Sequence, residues 1–415
     1  MFSLRQTTSY NGSAMLLAHK IALDPNAAQR LYFARASGTA RFAWNWALGR
    51  WRQEYALRCE YCCGPAPSEV SLRRELNAIK RARFPWMYDV GKAAVQEAII
   101  DLGAAFRAFF EKRAEYPRFK RKDDRQSFCA ANEAGTFRVD GQRIKLPVIG
   151  WVRMREEVRF SGPLKRATVS CEAGRWFVAL QIDTDDVKPV VHSEAVVGVD
   201  LGVSALATLS TGEVIEGPKA HAAALKRLRR ANKAMARKRR GSRNARKAKA
   251  RLARVHRRIA AIRRDSLHKL TTRITKTYAV IGIEDLNVKG MVQNRCLARA
   301  VSDVGMHEFR RQITYKARLY GARIVTADRW YPSSKSCSCC GVIKPTLDLA
   351  ERMFRCEDCG FEVGRDVNAA LNLAGLAASS AVSACGEARS GSVRKSRVKR
   401  ASAKQEEGSG LKEAA

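Results

Sequence analysis

Two sets of side chains in this 415-residue sequence have the types and spacing for chemistry. The first is a run of cysteines in the C-terminal third. Cys337 and Cys340 are separated by two residues, and Cys356 and Cys359 repeat that spacing after an intervening fifteen. Two C-x-x-C pairs in register match a tetrahedral zinc site with four thiolate ligands, the rival readings being chance spacing or a redox dithiol. Gly341 and Gly360 follow the pairs, suiting tight turns that face backbone N–H groups toward thiolates. Cys339, inside the first pair, is a spare able to replace a neighbour. Cys59, Cys62 and Cys63 have no second pair nearby and read as ordinary thiols.

The second set is acidic. Asp200 ends the apolar run Val196–Val199, Glu284 ends Ala279–Ile283, and Asp366 opens an apolar helix seven residues past Cys359. Each has a bland reading. An acid in an apolar run is costly to bury unless paired, so a structural salt bridge would serve; an acid in a first helical turn complements the helix dipole. The recurrence of an acid at a strand end favours a shared site. Three carboxylates brought together repel unless cations sit among them. Hard oxygen ligands suit Mg²⁺ or Mn²⁺. Two such ions roughly 3.5–4 Å apart activate water and stabilise the leaving oxygen of a phosphodiester. That is the geometry of a ribonuclease-H-like nuclease, which composition alone does not establish.

The charge balance points to a polyanion. The chain carries 77 Lys+Arg against 40 Asp+Glu, a net +37, with pI near 10.3. Nucleic acid is the natural partner. Anionic membrane is the rival, but no apolar run is long enough to span one, and the N-terminus lacks a secretory apolar core. Unevenly spread cysteines, four of them in a metal pattern, favour a reducing cytosol over a disulfide scaffold. Residues 226–264 hold nineteen Lys/Arg and no Asp or Glu. Unpaired like charge opposes helix formation, whereas a solvated face carries mixed signs. Arg227, Arg230, Lys238, Arg239, Arg240 and Lys247 are therefore expected on an RNA or DNA backbone. In YPRFKRK (116–122), Arg118 and Lys120 among aromatics suit the same role, or a solvated basic loop equally well.

Positioning elements follow from periodicity. A strand over His19–Leu23 precedes Asp24-Pro25, which caps a helix to about Trp51 with Leu31, Ala34, Phe42 and Trp46 on one face and Gly38 allowing close packing. Trp44, Trp46 and Trp51 read as core. Residues 68–114 are helical with a break at Pro85-Trp86. Alternation over 136–184 with Asp-Gly and Ala-Gly turns predicts a small antiparallel β unit, a domain of its own. The strand ending at Asp200 is followed by two short strands around a turn at 210–212. Gly241-Ser242 splits the basic run into two helices, with a further helix over Leu267–Thr277. A helix over about Val301–Tyr320 and a strand over Arg323–Ala327 lead into the cysteine segment. The tail beyond about Ala378 reads as disordered.

Taken together, GVDLGV (198–203), IEDLNVKGM (283–291), RWYPSSKSCSCCG (329–341) and CEDCG with RDVNAALN (356–372) resemble the TnpB family, the OrfB proteins of bacterial insertion sequences, kin of the type V CRISPR effectors. HKIALDP, GTARFAWNWAL, FPW, DLGAAFRAFF, YPRFK and GRWFVALQI agree, so the resemblance covers about residues 15–376. It implies a multidomain α+β protein: an RNase H-like (RuvC) nuclease domain over 191–376 with basic helices 226–264 and an inserted four-cysteine zinc ribbon at 330–362, a helical recognition lobe over 31–125, and a small wedge β-barrel from 15–30 and 126–190. Residues 1–14 would be disordered or a mis-started extension, and 377–415 a disordered basic tail. The resemblance implies catalytic acids at Asp200, Glu284 and Asp366 holding Mg²⁺ or Mn²⁺, with Glu284 preferred to Asp285, and structural Zn²⁺ on Cys337, Cys340, Cys356 and Cys359. It further implies a guide RNA and a target DNA as partners, base pairing reading the sequence and the protein a short adjacent motif, in a cytoplasmic bacterial protein working at the nucleoid. Gly364 departs from the family, many of whose members carry an acid there, but Asp366 is retained. The alternatives are a catalytically silent RNA- or DNA-binding regulator, a CRISPR-associated effector, and a transposase performing strand transfer itself, for which no convincing tyrosine–histidine site is present.

Overall fold

The computed structural model describes residues 15–389 apart from 62–65, 123, 133–134, 185–188 and 349, with backbone alone over 381–389. Cys62, Cys63, the segment 1–14 and the tail from 390 lie outside the described residues. The chain forms two compact units, one comprising residues up to Val191 with Gly217–Lys276 and Val288–Ala322, the other His192–Glu216, Thr277–Asn287 and Arg323 onward. The expected 191–376 domain is thus divided between them.

The first half of the chain alternates helices and antiparallel strands. Strand β1 (Met15–Ala22) leads into α1 (Ala27–Tyr61), then α2 (Glu69–Arg83) and α3 (Lys92–Phe110). Pro85–Asp89 forms a 3-10 turn at the expected break. Strands β2 (Ser127–Ala131), β3 (Arg138–Asp140), β4 (Arg143–Leu146), β5 (Gly150–Arg153), β6 (Leu164–Glu172) and β7 (Arg175–Thr184) follow. They make a four-stranded sheet in the order β1-β7-β6-β2 and a three-stranded sheet β3-β4-β5, linked by a bridge between Leu23 and Met154. Among the described strands no ladder closes the two sheets into a barrel.

Three expectations here are corrected. Helix α1 is capped by Asn26, not Asp24-Pro25: the Gln29 N–H donates to Asn26 Oδ1 (2.9 Å) and the Asn26 N–H to Gln29 Oε1 (3.0 Å), a reciprocal capping box. Asp24 instead pairs with Arg155 at 3.1 Å. The buried face of α1 is Phe33, Ala36, Ala40, Ala43, Ala47 and Leu48, while Leu31 is exposed and a Cβ at Gly38 would meet only the Arg41 guanidinium, at 3.8 Å. A 35-residue helix rich in alanine carries no strong apolar stripe, so its sequence marks the inner face weakly. Finally, the strands do not form a separate domain. One core joins Ile21, Phe33, Leu48, Leu72, Leu102, Val169 and Val178, so helices and sheet share their interior.

The second half begins with β8 (Glu194–Asp200), β9 (Ala207–Leu209) and β10 (Val214–Ile215). Helices α4 (Ala220–Ala236) and α5 (Arg243–Thr277) carry the basic run. The expected break is present, with Gly241 at φ +83°, but α5 runs unbroken through the separate helix expected from Leu267. Then come β11 (Tyr278–Glu284), α6 (Val288–Gln293), α7 (Ala298–Val304), α8 (Met306–Tyr320), β12 (Arg323–Ala327), the hairpin β13 (Met353–Arg355) and β14 (Glu362–Gly364), and α9 (Arg365–Arg389). The single helix expected over 301–320 is split at Gly305, whose φ is +79° and where a Cβ would meet Arg263 at 3.0 Å. The tail expected to be disordered from 377 is helical as far as Arg389.

The second unit is built on one mixed sheet of order β10-β9-β8-β11-β12. Strand β9 pairs antiparallel with both β8 and β10, whereas β11 and β12 run parallel to β8. Valine and isoleucine fill β8 and β11, as strands covered on both faces require. Within the first unit the helices of the second half are tied by polar contacts. Asp303 accepts from the N–H groups of His221 (2.9 and 3.1 Å) and Ala222 (3.2 Å), satisfying the orphan donors at the start of α4. The buried Lys316 ammonium donates to the His268 carbonyl (2.7 Å) and to the hydroxyls of Thr271 and Thr272 (2.8 Å each), joining α8 to α5.

Candidate metal centre

The register of β8 and β11 decides where two of the acids fall. Ile283 pairs with Val199 in the parallel ladder, so Glu284 and Asp200, the next residues, stand side by side at the carboxyl ends of adjacent strands, roughly 4.8 Å apart between strand axes. Two residues earlier, Gly198 and Gly282 are paired with each other. By the strand period of two, they share a face with the acids. Both glycines are contact points for α9. A Cβ at Gly198 would lie 1.8 Å from the Ala370 carbonyl oxygen, and one at Gly282 would lie 2.3 Å from that of Leu373. The helix therefore rests directly on the strand backbones.

That seat places the third acid. Asp366 is one helical turn before Ala370, a rise of about 6 Å. Asp200 is two strand residues beyond Gly198, about 6.6 Å. The two offsets match, and Asp366 is near enough for its carboxylate to act on that of Asp200. The electrostatics agree: burial, then the carboxylates of Glu284 and Asp366, push the Asp200 carboxyl up to about 7 against the pull of Arg365. Arg365 lies 3.6 Å from Asp366 Oδ1, and the Ser333 hydroxyl donates to Glu284 Oε1. Asp285, the second choice at its position, pairs with Arg329 at 3.2 Å. Burial and the two neighbouring carboxylates thus both oppose ionisation of Asp200, as expected where acids are brought together.

The four cysteines converge. The Sγ atoms of Cys337, Cys340, Cys356 and Cys359 all lie within 4.8 Å of one another. Cys337–Cys359 and Cys340–Cys356 are each 3.6 Å apart, against roughly 3.8 Å for a tetrahedron with metal–sulfur bonds of 2.3 Å. Gly341 and Gly360 take φ of +81° and +72°. The Cys337 thiol is drawn down to about 7: burial opposes this, and the N–H groups of Cys340 and Cys339 with the adjacent thiols outweigh it. The Cys359 thiol is pushed up to about 12, the Phe361 N–H being outweighed by burial and three crowding sulfurs. A thiolate at Cys337 thus opposes ionisation of Cys359. Phe354, Leu347 and Phe361 supply the small apolar core around them. Cys339 is exposed and stands outside the cluster.

Two asparagines join the cysteine segment to α9. Asn368, fully buried, accepts from the Ser338 N–H (3.0 Å) and donates to the Ser336 carbonyl (2.6 Å). Asn372, one turn on, donates to the carbonyls of Ser333 and Ser336, both at 2.7 Å. Sequence reasoning missed these and Ser333. The signals were present: Asn at i and i+4 in RDVNAALN, and a glycine two residues before an acid in both GVD and GIE.

The nucleic-acid candidates divide. Arg227, Arg230, Lys238, Arg239, Arg240 and Lys247 are all exposed on or between α4 and α5. The 116–122 segment is pinned to α1: the Trp44 indole N–H donates to the Arg118 carbonyl (3.0 Å), Asn45 exchanges two hydrogen bonds with the Lys120 backbone, and the Lys120 ammonium sits 3.5 Å from the Trp44 ring centroid. Arg118 pairs with Glu115.

The fold matches a solved structure described as the Cas12f1-sgRNA-target DNA complex, with a TM-score of 0.56 at 14% identity over 83% of each chain. Residues 167–295 match the OrfB family model of IS605 elements, described as "Probable transposase". Residues 307–373 match "Cas12f1-like, TNB domain". Residues 15–59 match a "Helix-turn-helix domain" model, although here they form β1 and most of α1. A "Putative RNA-guided DNA endonuclease" of Streptomyces pristinaespiralis is 39% identical over 94% of this chain and 96% of its own. The "Putative RNA-guided DNA endonuclease InsQ" of Escherichia coli K12 is 34% identical over 90% and 94%. The chain belongs to the TnpB (OrfB) family of insertion-sequence proteins. No helix among the described residues is long and apolar enough to cross a membrane.

Proposed function

We propose that this protein is an RNA-guided, divalent-metal-dependent DNA endonuclease. The observation that supports the reading is the seating of α9 on Gly198 and Gly282, beside strands that end in Asp200 and Glu284, with the Glu284 and Asp366 carboxylates both acting on Asp200. The sheet order supports an RNase H-like reading of the second unit, since the strand bearing Asp200 has an antiparallel hairpin on one side and parallel strands on the other. Asp200, Glu284 and Asp366 would hold Mg²⁺ or Mn²⁺, which when bound activates water and stabilises the leaving oxygen of a phosphodiester. The chain's own groups do the positioning. Ser333 orients Glu284 through its hydroxyl, and Arg365 offsets the charge at Asp366. The four cysteines would hold Zn²⁺, which fixes the segment carrying Ser333 and Ser336 against α9. The exposed cations of α4 and α5 would hold guide RNA, and the strand paired to the guide would be presented for cutting.

The protein purified with its native RNA is expected to cut guide-matched DNA in Mg²⁺. Asp200→Ala should lower the rate roughly a thousandfold, as loss of several kcal/mol of charge stabilisation requires. An Asp200→Ala protein that cuts as well as the wild type would overturn the assignment. A silent regulator is disfavoured because all three acids are retained.

A further inference from the structure

Trp330 is 85% exposed, more than any other aromatic ring among the described residues, whereas Trp44, Trp51 and Trp176 are all below 10%. A lone exposed ring needs no explanation. The segment carrying this one does. It leaves β12 at Ala327, the in-register partner of Glu284, and by Ser333 it is back at Glu284, whose carboxylate accepts from the serine hydroxyl. Trp330 sits midway, so its Cα is within roughly 10 Å of each end of that excursion.

The excursion is rigidly held. The Trp330 N–H donates to Asp328 Oδ1 (2.9 Å) and the Tyr331 N–H to the Asp328 carbonyl (3.0 Å). Arg329 binds Asp285 at 3.2 Å. The Tyr331 hydroxyl donates to the Asn372 carbonyl on α9 (3.4 Å), and the Ser333 N–H to the Tyr331 carbonyl (2.8 Å). Every neighbour of the indole is tied down while the indole itself stays in water. A preorganised aromatic face loses little entropy when a ring stacks on it.

We propose that Trp330 is a positioning residue that stacks on a nucleobase of the unpaired DNA strand entering the Asp200–Glu284–Asp366 site. The inference rests on the nuclease reading above. Its occupant follows from chemistry. A duplex base already has both faces covered by its neighbours, so only an unpaired base offers a free face, and stacking on an aromatic side chain tolerates any base. The net charge of +37 draws a polyanion, and on the RNA-guided reading, where base pairing and not the protein reads the target, the grip near the scissile bond has to be sequence-blind.

The test uses the full chain with its native RNA and guide-matched DNA carrying 2-aminopurine at successive positions of each strand. In the uncut Asp200→Ala complex, quenching is expected at one or two adjacent unpaired positions. Adding Trp330→Ala should restore brightness there, and Trp330→Phe should retain part of the quenching. With Asp200 intact, Trp330→Ala should raise KM for single-stranded DNA roughly five- to a hundredfold, the range implied by losing one stacked base, with kcat changed less and Trp330→Phe largely rescued. Unchanged melting temperature separates this from misfolding, since Trp330 is 85% exposed and buries little surface. Quenching that survives Trp330→Ala, its absence from the Asp200→Ala complex, or a change of oligomeric state in Trp330→Ala would overturn the proposal. Wild-type protein that cuts nothing while the quenching pattern holds would instead remove the nuclease reading and leave the stacking platform standing.

Discussion

At the residue scale, Asp200 and Lys316 show how burial acts on opposite charges. Asp200 is pushed up to about 7 by burial and by the carboxylates of Glu284 and Asp366. Lys316 is held down to about 8, burial being the main cause and Arg311 adding to it, and its remedy is three oxygen acceptors. The sign for Lys316 is definite. A lysine whose folded pKa lies below its unfolded value of about 10.4 contributes stability that is present above 10.4 and lost as pH falls through 8. The urea midpoint of the wild type relative to Lys316→Met should therefore rise between pH 8 and pH 10, and a flat difference would contradict the burial of that ammonium. Ser333 acts through Glu284, so Ser333→Ala should reduce cleavage roughly ten- to a hundredfold, as loss of an outer partner of a metal ligand does. Its melting temperature should stay close to that of the wild type, and the deficit should shrink as Mg²⁺ is raised.

At the element scale, α9 is the piece on which the site depends. Its distance from the sheet is set by the absence of two Cβ atoms. Gly198→Ala puts a carbon 1.8 Å from a carbonyl oxygen, which cannot stand without moving the helix. Destabilisation of about 3 kcal/mol is expected, with cleavage lost well before folding; urea unfolding and a cleavage time course would separate the two. The other face of α9 is held by Asn368 and Asn372. Asn368→Ala leaves the Ser338 N–H without its acceptor, at a cost of about 1–3 kcal/mol, while the Ser336 carbonyl keeps its bond from Asn372. The same clamp predicts that stripping metal from the cysteines impairs cleavage even when Mg²⁺ is in excess. Zinc content measured beside cleavage rate should show the two falling together and recovering together on zinc addition.

At the scale of the whole molecule, the net charge of +37 dominates association. Neutralising six to ten phosphates implies an RNA affinity that falls roughly a thousandfold or more between 50 and 200 mM salt. Replacing Lys238, Arg239 and Arg240 by alanine should lower the slope of log affinity against log salt by about two, at roughly 0.7 per single-stranded phosphate contact. Filter binding over a salt series checks both figures, and an unchanged slope would remove the turn between α4 and α5 from the RNA interface.

Much of this was legible without coordinates because it is local. Two cysteine knuckles, an acid closing each of two apolar strands and an acid at a helix start are patterns of neighbouring residues, and neighbouring residues carry their own spacing. The basic run and the break at Gly241 were legible for the same reason. Whatever depends on packing was not. The inner face of α1 was misread, because alanines on a long helix fit several faces and only a neighbouring sheet selects one. The cap moved to Asn26 because its partner Gln29 reached back to it. What tertiary structure alone decided is that Gly198 and Gly282 come opposite each other and under α9: strand register and helix seating are relations between segments roughly eighty to a hundred and seventy residues apart, and no single window of sequence contains both sides of either contact.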